Sequence, residues 1–279
     1  TLRTSKGLKS IHDHSGHVEV ECEDGTRFTG RCLIGADGLL SPTRSYVAGE
    51  AEPRVTGFLA YRGVIPIDKV MDHTYDKCVI GWFGHNIHLV QYALRAGDVL
   101  NNVAVFGSPA FANGEAEFGS PAEMDAMFTS AHPKVQEMLQ YISRDRNWMM
   151  RDREPIKNWT KGNVTLLGDA AHPTLQYLAQ GACMAFEDAV VLAERLSATP
   201  DDPNRAFLSY QEARYLRTAR IQLTARAFGQ VLHAGGFARE LRNSIYRGRA
   251  PDSFFLEIDW IYRGGLGCPI GPSWTGTPN

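Results

Sequence analysis

The chain has 279 residues, with 29 basic against 31 acidic side chains and 43% hydrophobic residues. That length suits one large domain or two intimate ones. The charge balance argues against a nucleic-acid binder or a polybasic membrane surface, and no apolar run has the length of a bilayer span or the form of a signal peptide. The five cysteines (Cys22, Cys32, Cys78, Cys183 and Cys268) follow no CxxC spacing, so neither a zinc site nor a redox dithiol is legible. An odd, dispersed count fits a reducing cytosol.

In chain order, residues 6–12 and 18–22 are expected as two strands of a meander, with Val18, Val20 and Cys22 alternating with acidic residues. Asp24-Gly25 supplies the following turn. Residues 31–34 form a short strand leading into Gly35-Ala36-Asp37-Gly38, and Ser41-Pro42 opens a helix, Ser as cap and Pro in the first turn. Residues 57–66 are apolar and extended, and 79–83, 88–94 and 102–106 follow as three strands of an antiparallel sheet. Residues 106–119, rich in Gly, Ala and Ser, are expected as a loop. Ser120-Pro121-Ala122-Glu123 is a capping box that opens a helix to about His132, and 133–142 forms another. Strands at 147–153 and 164–167 precede a helix at 180–196 with an Ala-rich packing face. A long amphipathic helix at 204–232 follows, and the remainder is less regular. No internal repeat or low-complexity block occurs.

The most informative segment is Gly168-Asp169-Ala170-Ala171-His172-Pro173, reached directly from the apolar strand Val164-Thr165-Leu166-Leu167. Gln180-Gly181 then opens the helix that contains Glu187-Asp188-Ala189. The spacing can set one carboxylate and one helix N-terminus against the same ligand. Far upstream stands Gly35-Ala36-Asp37-Gly38-Leu39-Leu40-Ser41-Pro42-Thr43-Arg44. Together, and in this order, the two motifs resemble those of the single-component flavoprotein aromatic hydroxylases of the para-hydroxybenzoate hydroxylase type. Within that family, His88-Leu89-Val90-Gln91-Tyr92 with Gln176 resembles the 3-hydroxybenzoate 6-hydroxylases more closely.

The resemblance implies a mixed α/β (α+β) fold of the para-hydroxybenzoate-hydroxylase type, an FAD-binding part with an inserted antiparallel substrate sheet. The FAD-binding part is drawn from 1–55 and 155–200, the substrate sheet and helices from 56–154, and a C-terminal helical region from 201–279. It implies FAD as cofactor, NADH or NADPH as co-substrate, and O2 with a small aromatic acid as reactants; family members are often homodimers. The family's GxGxxG fingerprint, which cradles the ADP half of FAD, is absent. The chain starts at Thr1, so the expectation is that an N-terminal βαβ segment has been removed or lost.

Asp169, with Gly168, is expected to accept hydrogen bonds from the ribityl hydroxyls; a capping aspartate is the structural alternative. The amides of Gly181, Ala182 and Cys183 are expected at the flavin edge that gains negative charge on reduction, with Gly181 allowing close approach. Asp37 and Arg44 are expected near the FAD pyrophosphate; equally, Asp37 caps the next helix and Arg44 ties it to a neighbour. His88 and Tyr92 share a strand face roughly 13 Å apart. By resemblance His88 and Gln176 become partners of the substrate phenol and Tyr92 a pocket residue. Arg62, in Tyr61-Arg62-Gly63, faces either flavin or a substrate carboxylate, or forms a buried ion pair. The implied reaction is hydroxylation of 3-hydroxybenzoate to 2,5-dihydroxybenzoate by oxygen carried at flavin C4a. A hydroxylase of salicylate or a hydroxynicotinate, and a non-catalytic fragment or assembly module, remain as alternatives.

Overall fold

The computed structural model describes residues 1–49, 52–70, 78–250 and 253–263. Its contacts divide the chain into two units: Thr1–Arg54 with Asp152–Arg226 and Ala250–Asn279, and Val55–Arg151 with Ala227–Arg249.

The first unit opens with an antiparallel meander, β1 (Leu8–His14), β2 (His17–Cys22) and β3 (Arg27–Gly30). Val18 and Cys22 point inward from β2, as period-2 patterning requires. The strand expected at 31–34 is β4, shifted to 33–35, and a separate strand at 27–30 precedes it. β3 completes the meander after the Asp24-Gly25 turn, and β4 (Leu33–Gly35) leaves it to run parallel to β11 (Val164–Leu166), pairing Leu33 with Val164 and Gly35 with Leu166. β10 (Thr160–Lys161) closes the other edge of β11.

Two motif-bearing segments thus leave one sheet side by side. Beyond β4 comes α1 (Pro42–Ala48), and beyond β11 a single 3-10 turn, Gly168–Ala170. α5 (Gly181–Ala198) and the long α6 (Pro203–Leu232) follow, α6 capped by the Asp202 carboxylate on the amide of Arg205. Trp159, Leu166, Ala170, Ala171, Val191, Leu192, Phe207 and Tyr210 form this unit's core.

The second unit is built on a five-stranded antiparallel sheet, in the order β6 (Ile80–Gly84), β7 (Ile87–Leu94), β8 (Val99–Gly107), β5 (Arg54–Pro66), β9 (Asn147–Asp152). It is wider than the three strands expected, because β5 and β9 join it. One face carries Leu59, Tyr61, Leu89, Ala104 and Phe106 into a core with Met124, Phe128, Val135, Met138 and Leu139 of the helical segment behind. That segment is two short helices, α3 (Pro121–Met127) and α4 (Pro133–Leu139). The first stops before His132 because His132 caps the second: its Nδ1 accepts from the amide of Lys134, with Pro133 in the first turn. The expected loop at 106–119 contains a short helix, α2 (Pro109–Ala112). The tail expected to be less regular carries two helices, α7 (Gly236–Arg247) and α8 (Ser253–Arg263). Among the described residues no helix is long and apolar enough to cross a membrane, and no His/Cys/Asp/Glu cluster could hold a metal ion.

Candidate active site

In the first unit, Gly168 turns the chain at the end of β11 with φ of +62°, a conformation that disfavours a side chain. A Cβ there would stand 3.2 Å from Cβ of Ala185, so the turn also lies tight against α5. The turn is fastened from both sides. Asp188 of α5 is fully buried: its Oδ2 accepts from the Gly168 amide at 3.1 Å and is bonded to His172 Nε2 at 2.5 Å, and its Oδ1 accepts from Arg214 Nε at 2.8 Å. Burial alone would lift the Asp188 pKa, but His172 and Arg214 hold it below the ordinary aspartate value. From the other side, Arg44, 0% exposed, donates through Nη1 to the carbonyls of Ala170 and Ala171 at 3.0 and 2.6 Å.

Held between these anchors, Asp169 alone of the three turn residues exposes its side chain. It sits in a recess: its surface is open, yet the surrounding protein raises its pKa, with His172 opposing. A Cβ on Gly181 would lie 3.8 Å from Asp169 Oδ1 and 3.5 Å from Thr174 Cγ2. The carboxylate and the start of α5 therefore meet at one place. No side chain caps α5 and its first turn holds no acidic residue; Ala182 and Cys183 are exposed there. Hydrogen-bond donors with the positive end of a helix dipole thus stand beside a carboxylate acceptor.

Asp37 caps α1. Its Oδ1 accepts from Ser41 Oγ at 2.5 Å, and its Oδ2 accepts from the amide and hydroxyl of Thr43 at 3.0 and 2.7 Å. These contacts fit the structural alternative: Asp37 holds the turn that opens α1, and Arg44 holds the turn that carries Asp169. Gln176, half-buried, opens the 3-10 turn Gln176–Leu178, which ends on Ala179 in the left-handed region at φ 54°.

The second unit holds His88 and Tyr92. On β7 both lie on the face opposite the Leu89 core. The register sets His88 against Val105, itself opposite Ala60, and Tyr92 against Asn101, opposite Val64. Arg62 lies on that same face of β5, exposed, with its guanidinium 5.3 Å from the Trp148 ring centroid. His88 is 3% exposed, and its Nδ1 stands 2.7 Å from Nε2 of His233, itself 6% exposed. The His233 ring stacks on Phe58 with centroids 4.3 Å apart. Burial, then the neighbouring His233, lowers the His88 pKa to about 3; burial lowers that of His233 to about 4.

Sequence reading passed over His233 and Phe58, and it quoted Asp188 without a role. His233 is 145 residues from His88, and no local pattern announces such a pair. Asp188 lies sixteen residues beyond His172, a separation closed by the 3-10 turn Gln176–Leu178 and the first two turns of α5.

The FAD binding domain family model matches residues 1–224. A 3-hydroxybenzoate 6-hydroxylase of Polaromonas naphthalenivorans (strain CJ2) is 40% identical over 266 residues, 95% of this chain and 66% of that protein. 3-Hydroxybenzoate 6-hydroxylase 2 of Aquipseudomonas alcaligenes is 40% identical over 261 residues, 94% of this chain and 81% of that protein. Among solved structures, HpxO of Klebsiella pneumoniae complexed with FAD and uric acid aligns with a TM-score of 0.82 at 25% identity, covering 95% of this chain and 67% of that one. The chain thus spans about two thirds to four fifths of the length of these relatives. The family match over most of the chain and the relatives' identity lead to one conclusion: the chain belongs to the FAD binding domain family, among the class A flavoprotein aromatic hydroxylases.

Proposed function

We propose that this chain works as an FAD-dependent hydroxylase of a phenolic aromatic acid, with 3-hydroxybenzoate as substrate, 2,5-dihydroxybenzoate as product, and NADH or NADPH as electron donor. The observation that carries the reading is the meeting of the Asp169 carboxylate with the uncapped start of α5 at Gly181. The residues fit the cofactor chemically. An open carboxylate suits the hydroxyls of a ribityl chain, and bare helix amides suit the ring edge that becomes negative on reduction. Asp169 takes the ribityl hydroxyls, and Gly181, Ala182 and Cys183 present their amides to the ring. Gly168, Asp37 and Arg44 serve by holding the turns. When bound and reduced by the nicotinamide cofactor, FAD would supply the two electrons that activate O2, one of whose atoms goes to the ring while the other leaves as water.

The remaining work belongs to the substrate. An electrophilic oxygen needs an electron-rich ring carbon, and a phenolate supplies one para to its oxygen. Attack at that carbon of 3-hydroxybenzoate gives 2,5-dihydroxybenzoate. His88 takes or shares the phenol proton, Gln176 orients the phenol oxygen, and Tyr92 lines the pocket. His88 is neutral near pH 7, the form that can accept a proton, and a phenolate beside it offsets the cost of charging a buried ring.

Asp169→Ala is expected to lower FAD affinity at least tenfold, as suits the loss of a charge-assisted bond of about 1.5–3 kcal/mol. Flavin absorbance retained after gel filtration reads this directly, and undiminished occupancy removes Asp169 from the cofactor site. His88→Ala is expected to cut hydroxylation far more than flavin reduction; equal loss of both, or unchanged coupling of NADH use to product, counts against its role.

A further inference from the structure

The His88–His233 contact joins two buried imidazoles end to end, Nδ1 of one to Nε2 of the other at 2.7 Å. One of those nitrogens must carry the proton and the other accept it. That requirement couples the two rings. If His88 Nδ1 carries the proton, then His233 Nε2 is bare and its own proton sits on Nδ1. If His233 Nε2 donates, then His88 Nδ1 is bare and its proton sits on Nε2. Either way both rings hold the same tautomer, and only the first leaves His88 Nε2 as an acceptor.

The His233 ring is held in place beside His88. It stacks on Phe58 with an interplanar angle of 13°, and the His233 carbonyl accepts the Asn86 amide at 3.2 Å. Around His88 the sheet presents Phe83 and Val105 as register partners, neither of them titratable. The next imidazole, exposed His85, packs against Gly235, two residues beyond His233.

We propose that His233 is a positioning residue for His88: by accepting from His88 Nδ1–H it fixes the tautomer whose Nε2 receives the substrate phenol proton. The inference deepens, and rests on, the reading of His88 as proton partner of the phenol. When the phenol O–H transfers its proton to His88 Nε2, the imidazolium that forms keeps its Nδ1–H on His233 Nε2. A charge-assisted bond then replaces a neutral one, and the transfer is favoured.

The test uses the FAD-loaded protein with 3-hydroxybenzoate as probe, following phenolate absorbance of the bound probe against pH. His233→Phe keeps the stack on Phe58 and removes the acceptor. It is expected to raise the ionisation midpoint of the bound phenol by about one pH unit, with flavin occupancy unchanged. His233→Gln, whose side-chain oxygen can accept, is expected to recover part of the shift. An unmoved midpoint in His233→Phe overturns the proposal. An unmoved midpoint in His88→Asn overturns the proton-partner reading instead, which keeps the two failures apart. Nitrogen-15 correlation spectra of the unaltered protein at neutral pH give a second measurement that no folding defect can spoil. Both rings are expected as the Nδ1–H tautomer, and mismatched tautomers, or Nε2–H on both, refute the assignment.

Discussion

Single residues decide how closely the chain can approach a ligand, and Gly168 shows this most directly. It joins a positive φ to a neighbour in near contact, Cβ of Ala185. An alanine there meets both penalties: about 1–2 kcal/mol for the left-handed backbone, and a packing cost because α5 must give by a few tenths of an ångström. Gly168→Ala is therefore expected to lower the urea midpoint by an amount equivalent to about 1–3 kcal/mol and, because the turn carries Asp169, to weaken flavin binding as well. A stability loss with unaltered flavin affinity separates the turn from the cofactor; an unchanged midpoint refutes the packing argument. Gly181 has a different task. Its missing Cβ would be in ordinary contact with Thr174 and Asp169, so the glycine keeps the recess open rather than relieving a clash.

At the scale of elements, α5 and α6 are joined through charge. Arg214 of α6 donates to both Asp188 and Glu187, at 2.8 and 2.6 Å, and Arg217 donates twice to Glu187 at 2.7 Å. Asp188 is wholly buried, whereas the Glu187 side chain keeps 16% exposure and a second arginine. The two arginines are thus unequal. Arg214→Met leaves a buried carboxylate short of its cation and is expected to cost about 3–5 kcal/mol; Arg217→Met, leaving Glu187 with Arg214 and some solvent, should cost clearly less. Urea unfolding of the two variants checks the ranking, and equal costs disprove it. This cluster explains why α6 was only partly legible. Its extent was clear from the pattern, but its buried face includes Gln211, Arg214, Thr218 and Gln222, while Leu208, Leu216 and Leu223 are about half exposed. Hydropathy alone assigns those residues to the opposite faces. The strand before Gly168 and the start of α5 were legible because glycine and a short apolar run impose local geometry. The split of residues 27–35 into β3 and β4 was not, since choosing between two sheets depends on partners more than a hundred residues away.

Across the whole molecule, protons bound unequally by the folded and unfolded chain make stability depend on pH, and here the buried histidines set where that dependence begins. Their distant pairing was the part of the candidate site least accessible from sequence, although His88 itself was marked by its neighbours on β7. In the unfolded chain both rings titrate near pH 6.5, whereas folded His88 and His233 stay neutral down to about 3 and about 4. Below pH 6.5 the unfolded state binds more protons, so stability falls as pH falls and is lost progressively through that window. The depressed carboxylates Asp188 and Glu187 act in the same direction but only at lower pH, from the ordinary carboxylate range downward. Between pH 6 and 5, then, the two histidines should dominate. Each contributes at most about one proton, so the slope is expected to approach two protons, or about 2.7 kcal/mol per pH unit. Urea unfolding at pH 7, 6 and 5 measures it, and replacing both rings (His88→Asn with His233→Asn) should flatten the curve over that interval. A native protein equally stable at pH 7 and pH 5 would mean that the rings titrate alike in both states, and the buried, neutral pair on which the tautomer argument stands would have to be abandoned.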